Sequence, residues 1–212
     1  MSAVKLKICG VKSIAEAKLL RESGVALVGL NFIPSSTRYI SLETARAIMA
    51  ELEGSGSKVT ALFAGRPLAE VNDCAGQLKV DYVQLHGNEP AEYAEGVKTK
   101  VIRAIAVEPG QSAAELIEFI NGFPADYFVL DRPRQGQGEL VDAELAAEVI
   151  AAEPDKIFLA GGLSPDNLAV RLAQTNPYGI DIAGGVRDDS DNLDIAKVKR
   201  CVEIIASLAA PA

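Results

Sequence analysis

The chain predicts an α/β fold, a single (β/α)8 TIM barrel over residues 1–212. Three observations carry this reading. Short apolar runs alternate strictly with longer amphipathic stretches, and strict alternation makes the strands parallel, because a helix must carry the chain back each time. The alternation yields eight strands and eight helices, the count of a closed barrel. The Gly-Gly pairs fall after strands seven and eight, whereas an open doubly wound sheet would place a glycine-rich loop after strand one.

The strands are read in order as Val4–Ile8, Ala26–Phe32, Lys58–Phe63, Tyr82–Leu85, Val101–Val107, Tyr127–Leu130, Ile157–Ala160 and Gly179–Ile182. Each is short, apolar and often β-branched, as strands buried on both faces should be. The helices are read as Ser13–Ser23, Leu42–Glu53, Pro67–Leu78, Ala91–Gly96, Ser112–Asn121, Asp142–Ala152, Pro165–Gln174 and Leu193–Leu208. Ser13 and Ser41 have the look of N-caps, and Ser13-x-x-Glu16 reads as a capping box. Ser164-Pro165 reads as a cap followed by a first-turn proline. Gly54–Ser57 is a helix-to-strand turn. No composition shift marks a linker, and 212 residues leave room only for short loops.

Composition narrows the chemistry. There are 21 Lys and Arg against 29 Asp and Glu, a formal net charge of -8. Nucleic-acid binders carry a basic balance or stripe, so that class is excluded. No apolar run is long enough for a membrane span. The first residues lack a secretory pattern, and three scattered cysteines form no disulfide framework, so a reducing cytoplasm is expected. With one histidine, a multi-histidine site is excluded. No metal is expected, since no second histidine or carboxylate sits at helical spacing from His86. Acid–base work must then fall to carboxylates, thiols or lysines.

Barrel enzymes build their sites from the loops after strand C-termini. Strand one leads to Cys9-Gly10, strand two to Arg38, strand four to Gln84-Leu85-His86, strand six to Asp131 and strand eight to Asp181. Gly161-Gly162 and Gly184-Gly185 follow the last two strands and suit a phosphate, because glycine lets backbone N–H groups approach an anion closely. Asp131 suits general acid or base work, or simply caps a loop. Cys9 reads as a base or as a buried structural cysteine. Arg38 reads as a carboxylate or phosphate fork, or as a surface arginine. His86 reads as a substrate contact or as a hydrogen-bonded structural residue.

Several segments, in order, resemble the phosphoribosylanthranilate isomerase family. They are Lys7-Ile8-Cys9-Gly10, Pro34-Ser35-Ser36-Thr37-Arg38-Tyr39-Ile40-Ser41, Val83-Gln84-Leu85-His86-Gly87-Asn88-Glu89, Leu159-Ala160-Gly161-Gly162-Leu163-Ser164-Pro165-Asp166-Asn167 and Pro177-Tyr178-Gly179-Ile180-Asp181. The resemblance implies a cofactor-free Amadori rearrangement of N-(5-phosphoribosyl)anthranilate in tryptophan biosynthesis. It implies Asp131 as acid, Cys9 as base, Arg38 on the anthranilate carboxylate, and Gly161, Gly162, Gly184 and Gly185 on the phosphate. Gln84, His86 and Asp181 stand in the matching segments as further substrate contacts. The partner implied is a small phosphorylated molecule, with the chain a monomer or homodimer.

The chain also departs from that pattern. The last turn reads Ala183-Gly184-Gly185-Val186-Arg187 where the family has Ser-Ser-Gly-Val-Glu, so a hydroxyl donor is lost and Arg187 is the expected replacement. The stretch Arg134–Asp142 lacks the family's Phe-Asp-Trp, Ala64-Gly65 replaces Val-Asn after strand three, and Asn31 puts an amide where an apolar residue is commoner. These departures keep two alternatives open, a diverged phosphoribosyl-ligand isomerase and a non-catalytic phosphoribosyl-ligand binder. A barrel such as indole-glycerol-phosphate synthase is disfavoured, because the end of strand one offers Cys9 and not a catalytic lysine.

Overall fold

The structure, a computed structural model, describes residues 4–132 and 140–209. Its strands are β1 (Lys5–Cys9), β2 (Leu27–Asn31), β3 (Lys58–Phe63), β4 (Tyr82–Leu85), β5 (Lys100–Ala106), β6 (Tyr127–Asp131), β7 (Ile157–Leu159) and β8 (Gly179–Ile182). They close in chain order into a barrel. The helices are α1 (Ile14–Arg21), α2 (Leu42–Leu52), α3 (Leu68–Leu78), α4 (Ala91–Glu95), α5 (Ala113–Gly122), α6 (Ala143–Ala152), α7 (Leu168–Thr175) and α8 (Ile195–Ala209). A 3-10 turn, Gly184–Val186, follows β8 and was not expected. The fold class is the one the alternation predicts.

Two strand ends run one residue further than their apolar runs. Cys9 closes β1 and Asp131 closes β6, so both functional candidates are strand residues rather than loop residues. One helix start is corrected. Ser164 does not cap α7, which begins at Leu168 after a turn through Pro165, Asp166 and Asn167. The Asn167 side chain braces that turn: its Oδ1 accepts the Ser164 N–H at 2.9 Å and its Nδ2 donates to the Gly162 carbonyl at 2.9 Å. The Ser13 cap holds, with Oγ accepting the Glu16 N–H at 3.2 Å, but the carboxylate of Glu16 takes the Lys12 N–H at 2.8 Å.

The chain divides into two compact units. One comprises Lys7–Ala104 and Pro124–Asp126. Its strands pair in parallel with Cys9, Gly29, Thr60 and Tyr82 in one register row and Asn31, Leu62 and Gln84 two rows further on. Residues in one such row point to the same face of the sheet. The helices bury one stripe each, Ala45, Ile48 and Leu52 on α2 and Val71, Ala75 and Leu78 on α3. Two aspartates pin strand starts. Asp81 accepts the Val59 N–H and Asp126 accepts the Val101 N–H, each at 2.8 Å.

The other unit comprises Met1–Leu6, Ile105–Phe123 and Tyr127–Ala212. Phe128 pairs with Ile157 and Leu130 with Leu159, while Leu159 pairs with Ile180. Tyr127, Phe158 and Tyr178 form an aromatic cluster with ring centroids 5.2–5.8 Å apart. Offset and edge-on rings at this spacing add to the burial energy. α6 buries Ala146, Val149 and Ile150, and the Arg171 side chain of α7 donates to the Val141 carbonyl.

Candidate active site

In the first unit, Cys9 is 9% exposed at the end of β1. Its register neighbour Gly29 brings no side chain, and a Cβ there would stand 3.0 Å from the Cys9 sulfur. The thiol therefore occupies space that only a glycine leaves. Gly10 and Val11 both donate their N–H groups to the Gly29 carbonyl, at 2.9 and 3.0 Å, which fixes the turn after Cys9. Arg38 is half-buried, and its stem lies against the bare backbone of Gly10.

Gln84 is 1% exposed, and its Oε1 is buried without a hydrogen-bond partner. Its Nε2 stands 3.4 Å from His86 Nδ1. A buried amide oxygen left unsatisfied is costly, so Gln84 is a residue that a ligand donor would complete. His86 is half-buried, with its own N–H held by the Phe63 carbonyl at 2.8 Å.

Sequence reasoning quoted Glu89 only as part of a motif and missed its work. Its Oε1 accepts the Gly65 N–H at 2.7 Å, and its Oε2 accepts the Gly87 N–H and an Arg103 Nη1 proton, each at 3.0 Å. The ion pair is almost fully buried. One carboxylate thereby ties together the loops after β3 and β4 and the middle of β5. Glu89 and Arg103 are 14 residues apart, so no local pattern signals the pair.

In the second unit, Asp131 Oδ1 accepts the Arg132 N–H at 2.8 Å. Gly161 lies directly beside it, since a Cβ on Gly161 would stand 3.1 Å from that same oxygen. Gly161 and Gly162 have φ of +81° and +78°, the left-handed region that glycine enters without steric cost. Gly185 packs so closely on the preceding turn that any Cβ would collide with the Leu163 carbonyl oxygen. The two glycine turns thus touch each other, and one of them touches Asp131. The Arg132 guanidinium is beside Gly162, with Nη1 3.3 Å from a Cβ placed there, and the sequence reading gave this cation no role.

The Ser164 N–H is taken by Asn167 Oδ1 at 2.9 Å. Arg187 is buried, and its Nη1 donates to the Asp191 carbonyl at 2.8 Å. Asp181 is buried in β8. The stretch 134–139 lies outside the described residues. Among the described residues no group of three or more His, Cys, Asp or Glu side chains is arranged to hold a metal ion, and no helix is long and apolar enough to cross a membrane.

Cys9, Arg38, Gln84 and His86 therefore fall in one unit, and Asp131, Gly161, Gly162, Asp181, Gly184 and Gly185 in the other. Fold and strand-end chemistry define a (β/α)8-barrel enzyme. Residues 6–204 match the family described as N-(5'phosphoribosyl)anthranilate (PRA) isomerase. The chain belongs to that family. It is 36% identical over 202 residues to the N-(5'-phosphoribosyl)anthranilate isomerase of Azotobacter vinelandii, covering 94% of this chain and 96% of the relative. It superposes with a TM-score of 0.85 on the Thermus thermophilus phosphoribosyl anthranilate isomerase, 32% identical, covering 97% of this chain and all of the other. A third similar protein is a phosphoribosyl anthranilate isomerase solved with reduced 1-(o-carboxyphenylamino)-1-deoxyribulose 5-phosphate. It has a TM-score of 0.81 and 28% identity, covering 96% of this chain and 99% of that one.

Proposed function

We propose that this chain isomerises N-(5-phosphoribosyl)anthranilate to 1-(2-carboxyphenylamino)-1-deoxyribulose 5-phosphate, a step of tryptophan biosynthesis. Family membership supports the reaction, and one structural observation supports its assignment to these residues. The bare backbone of Gly161 lies against the Asp131 carboxylate. A phosphate-holding turn and a proton donor are thus contiguous in one unit, as a phosphorylated sugar undergoing acid–base chemistry requires.

The reaction is an internal redox step. Asp131 gives a proton to the ribose ring oxygen while the anthranilate nitrogen lone pair expels the C1–O bond, leaving an iminium. The Cys9 thiolate removes the proton at C2, and that electron pair neutralises the iminium to form an enol-amine. A proton added at C1, with loss of the C2 hydroxyl proton, completes the ketone. C1 is reduced and C2 oxidised within one molecule, so no external oxidant enters. The acid must hold its proton and the base must lose one near neutrality, so the site must raise the carboxyl and lower the thiol from their ordinary values.

Arg38 takes the anthranilate carboxylate, for which its planar fork suits it. The Gly161-Gly162 and Gly184-Gly185 turns take the phosphate through backbone N–H groups, with Arg132 as an added cation. Gln84, His86 and Asp181 contact the sugar. In this reading residues 1–212 are one cytoplasmic domain. It works without cofactor or metal, as a monomer or homodimer, on a small phosphorylated molecule and with no nucleic acid or membrane.

The test follows the loss of anthranilate-adduct fluorescence with purified protein. Turnover that Cys9→Ala and Asp131→Ala each reduce by at least about 100-fold is expected. Binding of the substrate without turnover would favour the non-catalytic binder.

A further inference from the structure

β2 ends on Asn31, a buried amide between apolar Leu30 and Phe32. A valine would suit this strand position better, so the reason for the amide lies outside the strand. Buried polar groups find partners, and those of Asn31 lie in the loop that carries Arg38. Its Oδ1 accepts the Ile33 N–H at 2.8 Å, and its Nδ2 donates to the Ser36 hydroxyl at 3.0 Å. Ser36 Oγ accepts the Arg38 N–H at 3.1 Å. The Asn31 carbonyl accepts the Ile40 N–H at 2.9 Å, so one residue holds the loop at both ends.

A second contact reaches Arg38 from β1. Gly10, at φ +78°, faces the arginine side chain, and any Cβ at Gly10 would collide with Arg38 Cδ. Arg38 is therefore fixed at its backbone by Asn31 acting through Ser36, and at its stem by the residue that follows Cys9. All these groups lie in one compact unit.

We infer that Asn31 is a positioning residue for the substrate's carboxylate. Through Ser36 it presents the Arg38 guanidinium in one orientation. The inference rests on the reading of Arg38 as the anthranilate-carboxylate ligand. A guanidinium–carboxylate fork is directional. Ordering the loop before the ligand arrives removes a cost that binding would otherwise bear.

The test compares two probes by calorimetry on the full chain. One is reduced 1-(o-carboxyphenylamino)-1-deoxyribulose 5-phosphate, and the other is its counterpart without the ring carboxylate. The parent protein binds the carboxylated probe more tightly. In Asn31→Val and in Ser36→Ala that preference shrinks by about five- to tenfold, the scale of one or two neutral hydrogen bonds. Affinity for the probe lacking the carboxylate stays within about twofold. Ser36→Thr, which keeps the hydroxyl, retains the preference. The double variant is no worse than either single, because both cut the same chain of bonds. In turnover, KM rises while kcat holds.

Equal weakening of both probes would overturn the inference by making Asn31 merely structural, and so would an unchanged preference in both variants. A parent protein with no preference for the carboxylate is a separate result. It removes the Arg38 reading before any substitution is made, and the inference with it. Ser36 lies outside the strands, so its variant keeps the comparison readable if Asn31→Val does not fold.

Discussion

Gly185 is the tightest fit in the strand-eight turn, with the Leu163 carbonyl oxygen where a Cβ would go. Gly185→Ala must move one turn off the other. Overpacking of this kind costs about 1–3 kcal/mol, and the displaced backbone should also lose inorganic phosphate. The expected outcome is a lower melting temperature together with weaker inhibition by phosphate; unchanged inhibition would separate this turn from the phosphate. The cysteines divide at the same scale. Burial pushes the Cys74 and Cys201 thiols up to about 11. Both are therefore protonated near neutrality and poor nucleophiles. Iodoacetamide at about pH 8 should leave both unmodified by mass spectrometry, and loss of activity should track alkylation of Cys9. The raised values also set a sign for stability. The unfolded thiols ionise from about pH 9, where the folded ones still hold their protons, so stability falls as pH climbs from 9 towards 11. Cys9 was distinguishable from the other two in the sequence because it ends an apolar run. Asn31 was visible only as an oddity, because its partner Ser36 acquires meaning once the loop folds back.

Strands and helices show where local pattern suffices and where it does not. The short apolar runs and the helical patterns located every strand and α-helix among the described residues, because each buries a continuous run or stripe. Boundaries slipped at polar positions. α7 begins at Leu168 after a turn in which Asn167 accepts the Ser164 N–H, and β6 runs one residue further because the Asp131 carbonyl accepts the Val107 N–H at 2.8 Å. The Glu89–Arg103 pair was not legible at all, since it joins the loop after β4 to the strand after it. Removing one partner of a buried pair leaves the other charge stranded, at about 3–5 kcal/mol. Glu89→Ala should lower the melting temperature accordingly, and Glu89→Leu with Arg103→Met should recover part of the loss. A double variant no better than the single would show that the bonds to Gly65 and Gly87, not the charge, dominate. The Ser112–Glu115 capping box on α5 is a smaller case. Hydrogen bonds from the Ser112 N–H and hydroxyl hold the Glu115 carboxyl below its ordinary value near 4.5. A depressed carboxylate stabilises the fold above its unfolded value, and the gain is lost as pH falls through the folded one. The stability gap between the parent and Ser112→Ala should therefore be widest at about pH 7 and shrink as pH falls below 4.5, while loss of the Ser112 Oγ bond to the Glu115 N–H keeps part of it at every pH.

At the scale of the molecule, the closed order β1 to β8 was readable from alternation and count alone. The chemistry was readable only because parallel strands in a barrel bring their C-terminal ends to one face. That rule singled out Cys9, Arg38, Asp131 and the two glycine turns. It could not single out Arg132, whose place beside Gly162 depends on how one loop lies on another. A net charge of -8 does not favour an anionic substrate, so binding must come from these few local groups. The isomerase reading is tested most directly by single-turnover fluorescence with phosphoribosylanthranilate deuterated at C2. The parent protein should convert it with a primary isotope effect, because the proton abstraction proposed for Cys9 breaks that bond. Cys9→Ala and Asp131→Ala should each lose at least about 100-fold in rate while remaining folded. Full turnover in both variants would contradict the mechanism, and no turnover in the folded parent would contradict the function.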